Sequence, residues 1–178
     1  MNLILIKIKT IFKLGLSNFF KVLIYRTLVR SKIFIIKSPI KKIYWPNLAY
    51  GFNSKKFIST IWSNEAKNLC IIEAEKIITG KIKLFGSNEY NLGSPPKWKF
   101  NFIEESCFPS HETHWSNINL YSNSDIKYGW EISRWEWSTK LARAFLYSGE
   151  KKYLDTLNLW ASDWCKNNDI NGGINWIC

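Results

Sequence analysis

Residues 124–153 read SDIKYGWEISRWEWSTKLARAFLYSGEKKY, and the eight positions from Trp130 to Trp137 hold three tryptophans, two glutamates and an arginine. Ser124 is a candidate N-cap, and the apolar spacing predicts a helix running to about Tyr147, stopped by Gly149. A second helix is expected from Lys151 to about Asn167. Two helices joined by about three residues form an antiparallel αα-hairpin. In the second helix Tyr153, Leu154, Leu157, Trp160, Ala161 and Trp164 recur at i, i+3, i+4, opposite Lys152, Asp155, Thr156, Asp163 and Lys166, so it buries one side. The first helix carries two apolar stripes, one of Trp130, Trp137, Leu141, Ala144 and Phe145, the other of Ile132, Trp135, Ala142 and Leu146. Apolar cover on most of its circumference predicts burial on two sides. A two-sided helix paired with a one-sided helix predicts two layers, an inner and an outer ring of helices. The expected class is therefore all-α, a helical toroid or bundle.

The hairpin predicts a geometry at one end. The second helix returns the chain to where the first began, so 168–176 should lie beside 124–131 on one rim. Asp125, Lys127, Tyr128, Trp130, Asn175 and Trp176 could then share a concave surface of donors, acceptors and flat aromatic faces, which suits a polar polymer. Glu131 and Arg134 are spaced i, i+3 and can meet on a helix face. With Arg134 in line with Trp130 and Trp137, its charge must be paired or stacked on an indole. The alternative is that Glu131 or Arg134 reaches the cleft and touches an acidic sugar.

Outward from this stretch, the chain is 178 residues long, enough for one domain with its own core. Its net charge of +11 is uneven: residues 1–50 hold ten Lys or Arg and no acid, and the remainder is nearly balanced. Basicity confined to one third is weak ground for a nucleic-acid partner, and none is expected. Residues 1–37 are apolar with interspersed bases, and their longest uncharged run is the seven residues Leu14–Phe20. That is far short of the ~20 a spanning helix needs. Lys7, Lys9 and Lys13 interrupt the apolar core a signal peptide requires. The segment is expected to be a basic amphipathic helical N-terminus. It either packs its apolar face on the domain or lies on an anionic membrane surface.

Ser38-Pro39 closes that region. Residues 60–79 are expected to be helical, with Ser63 as cap, Leu69, Ile72 and Lys76 on adjoining turns, and Gly80 at the end. Lys81–Gly86 alternates and could pair as a strand. Residues 87–124, rich in Asn, Ser, Gly and Pro, are expected to form a long ordered loop pinned by Trp98, Phe100, Phe102, Phe108 and Trp115. His111 and His114 sit three apart in that loop, against the four-residue spacing of an H-E-x-x-H zinc helix, so no metal site is expected. Gly172-Gly173 lacks a phosphate-loop context and fits a tight turn. Cys70, Cys107, Cys165 and Cys178 show no C-x-x-C spacing and are taken as free thiols. No cofactor is expected.

Taken together, several pieces resemble a known family. DIKYGWEISRWEW with the following LARAFLYSGEKKY, GKIKLFG at 80–86, LGSPPKW at 92–98, His114-Trp115 and NGGINW at 171–176 are similar, in order, to the N-terminal domain of heparinase II/III-like polysaccharide lyases. YRTLVRSK at 25–32 is weakly similar to the family's opening helices. The resemblance implies that residues 38–178 are the N-terminal part of an incomplete (α/α) toroid, which in the family precedes a β-sandwich. It implies β-elimination on uronate-containing anionic polysaccharide, and a periplasmic or secreted location, although residues 1–37 make no convincing signal peptide. In the family the catalytic Asn lies in a later Asn-Asn-His segment and the Tyr and His later still, and no residue here matches them. Neither His111, His114 nor any Tyr is given a catalytic role, and turnover by this chain alone is not expected. The substrate-binding candidates are Lys127, Tyr128, Trp130, Glu131, Arg134, Asn175 and Trp176.

Overall fold

The computed structural model describes residues 12–13, 15–46, 63–86, 88–119 and 125–177. The chain divides into two units, residues 1–39 and 40–178. In the first, α1 (Leu16–Arg30) is followed by the short α2 (Ile33–Lys37), with Tyr25 and Phe34 rings 6.0 Å apart. No residue of α1 is buried.

The second unit is mostly helical with four short strands. Helix α3 spans Asn64–Ile78, and its cap is the expected one: Ser63 Oγ accepts from Ala66 N–H at 3.2 Å, satisfying a donor the first turn would leave unpaired. Its buried face is Cys70, Ala74 and Ile77, whereas Leu69 and Ile72 are exposed. The antiparallel pair β1 (Lys81–Leu84) and β2 (Asn88–Asn91) follows, with Ile82 and Leu84 turned inward and the lysines outward. A second antiparallel pair, β3 (Phe100–Asn101) with β4 (Ser106–Cys107), lies within the expected loop. Trp98 and Phe108 are buried there, and Phe100 packs edge-on against Phe102 at 4.9 Å.

The expected single helix of the opening stretch is broken. Helix α4 covers Lys127–Ile132 and α5 covers Glu136–Ser148, separated by a turn at Ser133–Trp135; the proposed cap Ser124 lies outside the described residues. Trp135 adopts φ +62°, a conformation disfavoured for a bulky residue. The reason is long-range: its ring stacks on Trp137 at 5.2 Å, meets Trp45 at 5.2 Å and stands edge-on to Trp164 at 5.3 Å. Local backbone cost is offset by this packing. Gly149, at φ +75°, ends α5 as expected.

Helix α6 spans Lys151–Asn167, the expected bounds, and buries Tyr153, Leu154, Leu157, Trp160, Ala161 and Cys165. Helix α5 packs against both α3 and α6 through Trp137, Leu141 and Ala144. The core joins these three helices to Ile82, Leu84, Leu92 and Trp98. Trp137 is buried and Trp135 packs on the core.

Residues 40–46 form a strap along α6. Lys41 and Ile170 exchange backbone hydrogen bonds at 3.0 and 2.8 Å. Four residues on, Trp45 Nε1 donates to Asn158 Oδ1 at 3.1 Å, so the strap runs antiparallel to the helix. The described cysteines Cys70, Cys107 and Cys165 are free thiols.

Candidate functional site

The segment following α6 folds back toward α4, as the hairpin geometry requires. A short 3-10 turn, Ile174–Trp176, meets α4 where Gly129 allows close approach: a Cβ at that position would collide with Ile174 and crowd the Phe108 ring. Trp130 Nε1 then donates to Ile174 O at 2.7 Å. Asn175 Nδ2 donates to Asn168 Oδ1, and Asn168 Nδ2 to Trp164 O, so the asparagine is oriented from the end of α6. Trp164 Nε1 donates to Ser133 Oγ at 3.1 Å, in the turn between α4 and α5.

These contacts build a cleft of about 310 Å³ lined by Trp130, Ser133, Trp164, Asn175, Trp176 and Ile177. Three of the candidate residues, Trp130, Asn175 and Trp176, are therefore brought together. The others are placed elsewhere. Tyr128 stands edge-on to Phe85 at 5.4 Å, and Glu131 Oε1 accepts from Phe85 N–H, so both serve the turn between β1 and β2. Lys127 is exposed at the start of α4, its N–H bonded to Asp125 Oδ1. The expected ion pair exists, Arg134 Nε to Glu131 Oε2 at 3.1 Å, but its placement is reversed. The guanidinium is 69% exposed and the carboxylate only 10%, because the break in the helix takes Arg134 out of the apolar stripe of Trp137 and Leu141.

Ser133 and Trp164 were not candidates. Trp164 reads from sequence as core, and Ser133 joins the cleft only because the helix breaks there. The lining holds flat indole faces, an amide and a hydroxyl, and no group that titrates near neutral pH. It can bind a polyhydroxylated ligand by stacking and hydrogen bonding, but it offers no proton-transfer group. The Trp176 indole N–H is buried and finds no acceptor among the described residues.

A second cleft, of about 320 Å³, lies between the strap and the C-terminal half of α6. Lys42, Ile43, Tyr44, Trp45, Ser162, Cys165 and Lys166 line it. Burial pushes the Cys165 thiol up, which keeps it protonated rather than nucleophilic. The half-buried indoles Trp45, Trp135 and Trp164 connect this cleft to the first, at successive ring separations of 5.2 and 5.3 Å.

Beside the strap sits a polar cluster that the sequence did not announce. Asp169 is buried; its Oδ2 lies 3.1 Å from Lys42 Nζ and 3.9 Å from His111 Nε2. Lys99 Nζ contacts His111 Nδ1, which places the ring's own proton on Nε2, facing the carboxylate. Desolvation, and then the Lys99 charge, lowers the His111 pKa. The two glycines explain how the histidine loop gets so close. A Cβ on Gly172 would strike the His111 carbonyl oxygen, and Gly173 N–H donates to Thr113 O at 2.8 Å. His114 is buried, its Nδ1 accepting from Ser116 N–H at 3.2 Å. Among the described residues no group of three or more His, Cys, Asp or Glu is placed to hold a metal.

Compared with known proteins, the chain matches no family model, no curated protein and no solved structure.

Proposed function

We propose that this chain binds an anionic, uronate-containing polysaccharide, as the N-terminal part of a heparinase II/III-like lyase whose eliminating residues are not among those present here. The observation that carries the reading is the convergence of three indoles with Asn175 and Ser133 on one cleft. Sugar rings present a C–H face that stacks on indole, and their hydroxyls need donors and acceptors at the edge. Lys166, across the connecting row of indoles, supplies a positive charge that favours an acidic sugar over a neutral one. On this reading the α5–α6 hairpin with α3 is a segment of an incomplete (α/α) toroid. A non-catalytic polysaccharide-binding protein would use the same cleft.

The test is affinity electrophoresis and calorimetry with oligouronates and with a neutral oligosaccharide. Trp176→Ala should weaken oligouronate binding about tenfold, the loss of one stacking platform. Equal binding by the variant, or no oligosaccharide binding by the wild type, would remove the proposal. Ultraviolet assay for unsaturated uronate should show no turnover by this chain alone; measurable turnover would place catalytic groups within it.

A further inference from the structure

Helix α1 presents a surface that the polysaccharide reading does not use. Leu16, Phe20, Val22, Leu23, Ile24 and Tyr25 are all between 42% and 67% exposed, and no residue of the helix is buried. Lys21, Arg26 and Arg30 are interspersed among them, Lys32 and Lys37 follow, and no acidic residue occurs anywhere in residues 1–50.

We propose that α1 is an interfacial helix that binds the surface of an anionic lipid bilayer. Three observations select this occupant. First, the bases lie among the apolar residues rather than on a separate stripe. A protein groove would have to bury them, but at a lipid headgroup boundary long basic side chains keep their methylenes among acyl chains and lift their charges to the phosphates. Second, fifteen helical residues extend about 22 Å, short of the ~30 Å hydrocarbon core, so the helix lies in the interface rather than across it. No helix among the described residues is long and apolar enough to cross a membrane. Third, charge rules on the alternatives. A second copy would bring one acid-free basic surface against another, and an acidic polymer would satisfy the bases but leave the six apolar side chains in water.

The inference stands apart from the polysaccharide reading and is tested without any sugar. The full chain is sedimented with vesicles of phosphatidylcholine alone and of phosphatidylcholine mixed with phosphatidylglycerol. The expected result is co-sedimentation with the mixed vesicles only, weakening as salt is raised. Phe20→Glu combined with Leu23→Glu should abolish it; these side chains are exposed, so no core is disturbed. Lys21→Gln combined with Arg26→Gln should lower the partition coefficient about fivefold for each base removed. The proposal is overturned if the wild type fails to sediment with the mixed vesicles or sediments equally with both kinds. It is also overturned if the Phe20/Leu23 variant binds as the wild type does, which would mean that charge alone drives attachment. A dimer in size-exclusion chromatography that the same variant dissociates would assign the face to a second copy and likewise overturn it.

Discussion

At the scale of single residues, the tryptophans separate into those whose N–H is matched and those whose N–H is not. Trp160 Nε1 donates to Ser94 Oγ at 3.1 Å and Trp98 Nε1 to Asp163 Oδ2 at 2.8 Å, whereas the buried Trp137 Nε1 has no acceptor among the described residues. An unmet buried donor carries its desolvation cost without return. Trp160→Phe should therefore cost about 1 kcal/mol more than Trp137→Phe in chemical denaturation, since only the first loses a hydrogen bond; equal losses would contradict this. His111 makes a second prediction. Its folded pKa lies below the 6.5 of the free side chain, so as pH falls through 6.5 the unfolded chain takes up a proton the folded chain refuses. Stability should decline from pH 6.5 downward until the lower folded value is passed, and His111→Asn should flatten the melting temperature over that range.

Individual residues also mark where sequence reading stops. The Ser63 cap and the Gly149 terminator act within their own turns, and both were legible. Asp169 was not: its burial depends on Lys42 and His111, more than a hundred and nearly sixty positions away, which no local pattern encodes. Trp130, Asn175 and Trp176 were legible as neighbours because a hairpin must return to its origin. Tyr128 and Glu131 were misplaced because nothing local reveals that the Phe85 turn reaches α4.

At the scale of elements, α6 was readable to its ends because its apolar period and its polar face agree. The helix preceding it was not, because Trp135 leaves helical geometry to join rings from the strap and from α6. Burial on two sides, read from the two stripes, holds for α5, which packs against both α3 and α6; only the break at Ser133–Trp135 escaped the pattern. The joint between α3 and α6 supplies a testable electrostatic contact. Tyr153 Oη donates to Glu75 Oε1 at 2.6 Å, and Lys152 Nζ lies 2.6 Å from the same oxygen. The Lys152 and then the Tyr153 hydrogen bonds hold the Glu75 carboxyl below its usual 4.5, while burial and the Glu75 contact push Tyr153 up to about 12. The stabilisation from Glu75 is complete above its unfolded pKa and fades as pH drops through the lower folded value. Melting temperature should thus fall below pH 4.5 less steeply in Glu75→Gln than in the wild type. Glu75 and Lys152 are each nearly half exposed, so solvent screens the pair and the difference should be small and smaller still in high salt.

At the scale of the whole molecule, the two units differ in kind. Every described member of the core cluster, from Ala74 to Ala161, belongs to residues 40–178, and the described residues of 1–39 contribute none. A chain starting at Ile40 should therefore retain a single cooperative melting transition close to that of the full chain. Scanning calorimetry checks this; a non-cooperative melt would show that the first unit is needed for folding.

The linked tryptophan rings have an optical consequence. Trp45, Trp98, Trp135, Trp137, Trp160 and Trp164 form one connected set with neighbouring centroids 5.2–6.4 Å apart. Indole chromophores this close share their excited states, so the six behave as one antenna instead of six separate emitters. Their coupling should give the protein pronounced circular dichroism from its indole bands that vanishes on unfolding. Because Trp164 belongs both to the antenna and to the cleft wall, a ligand arriving at that wall should alter emission drawn from the whole set.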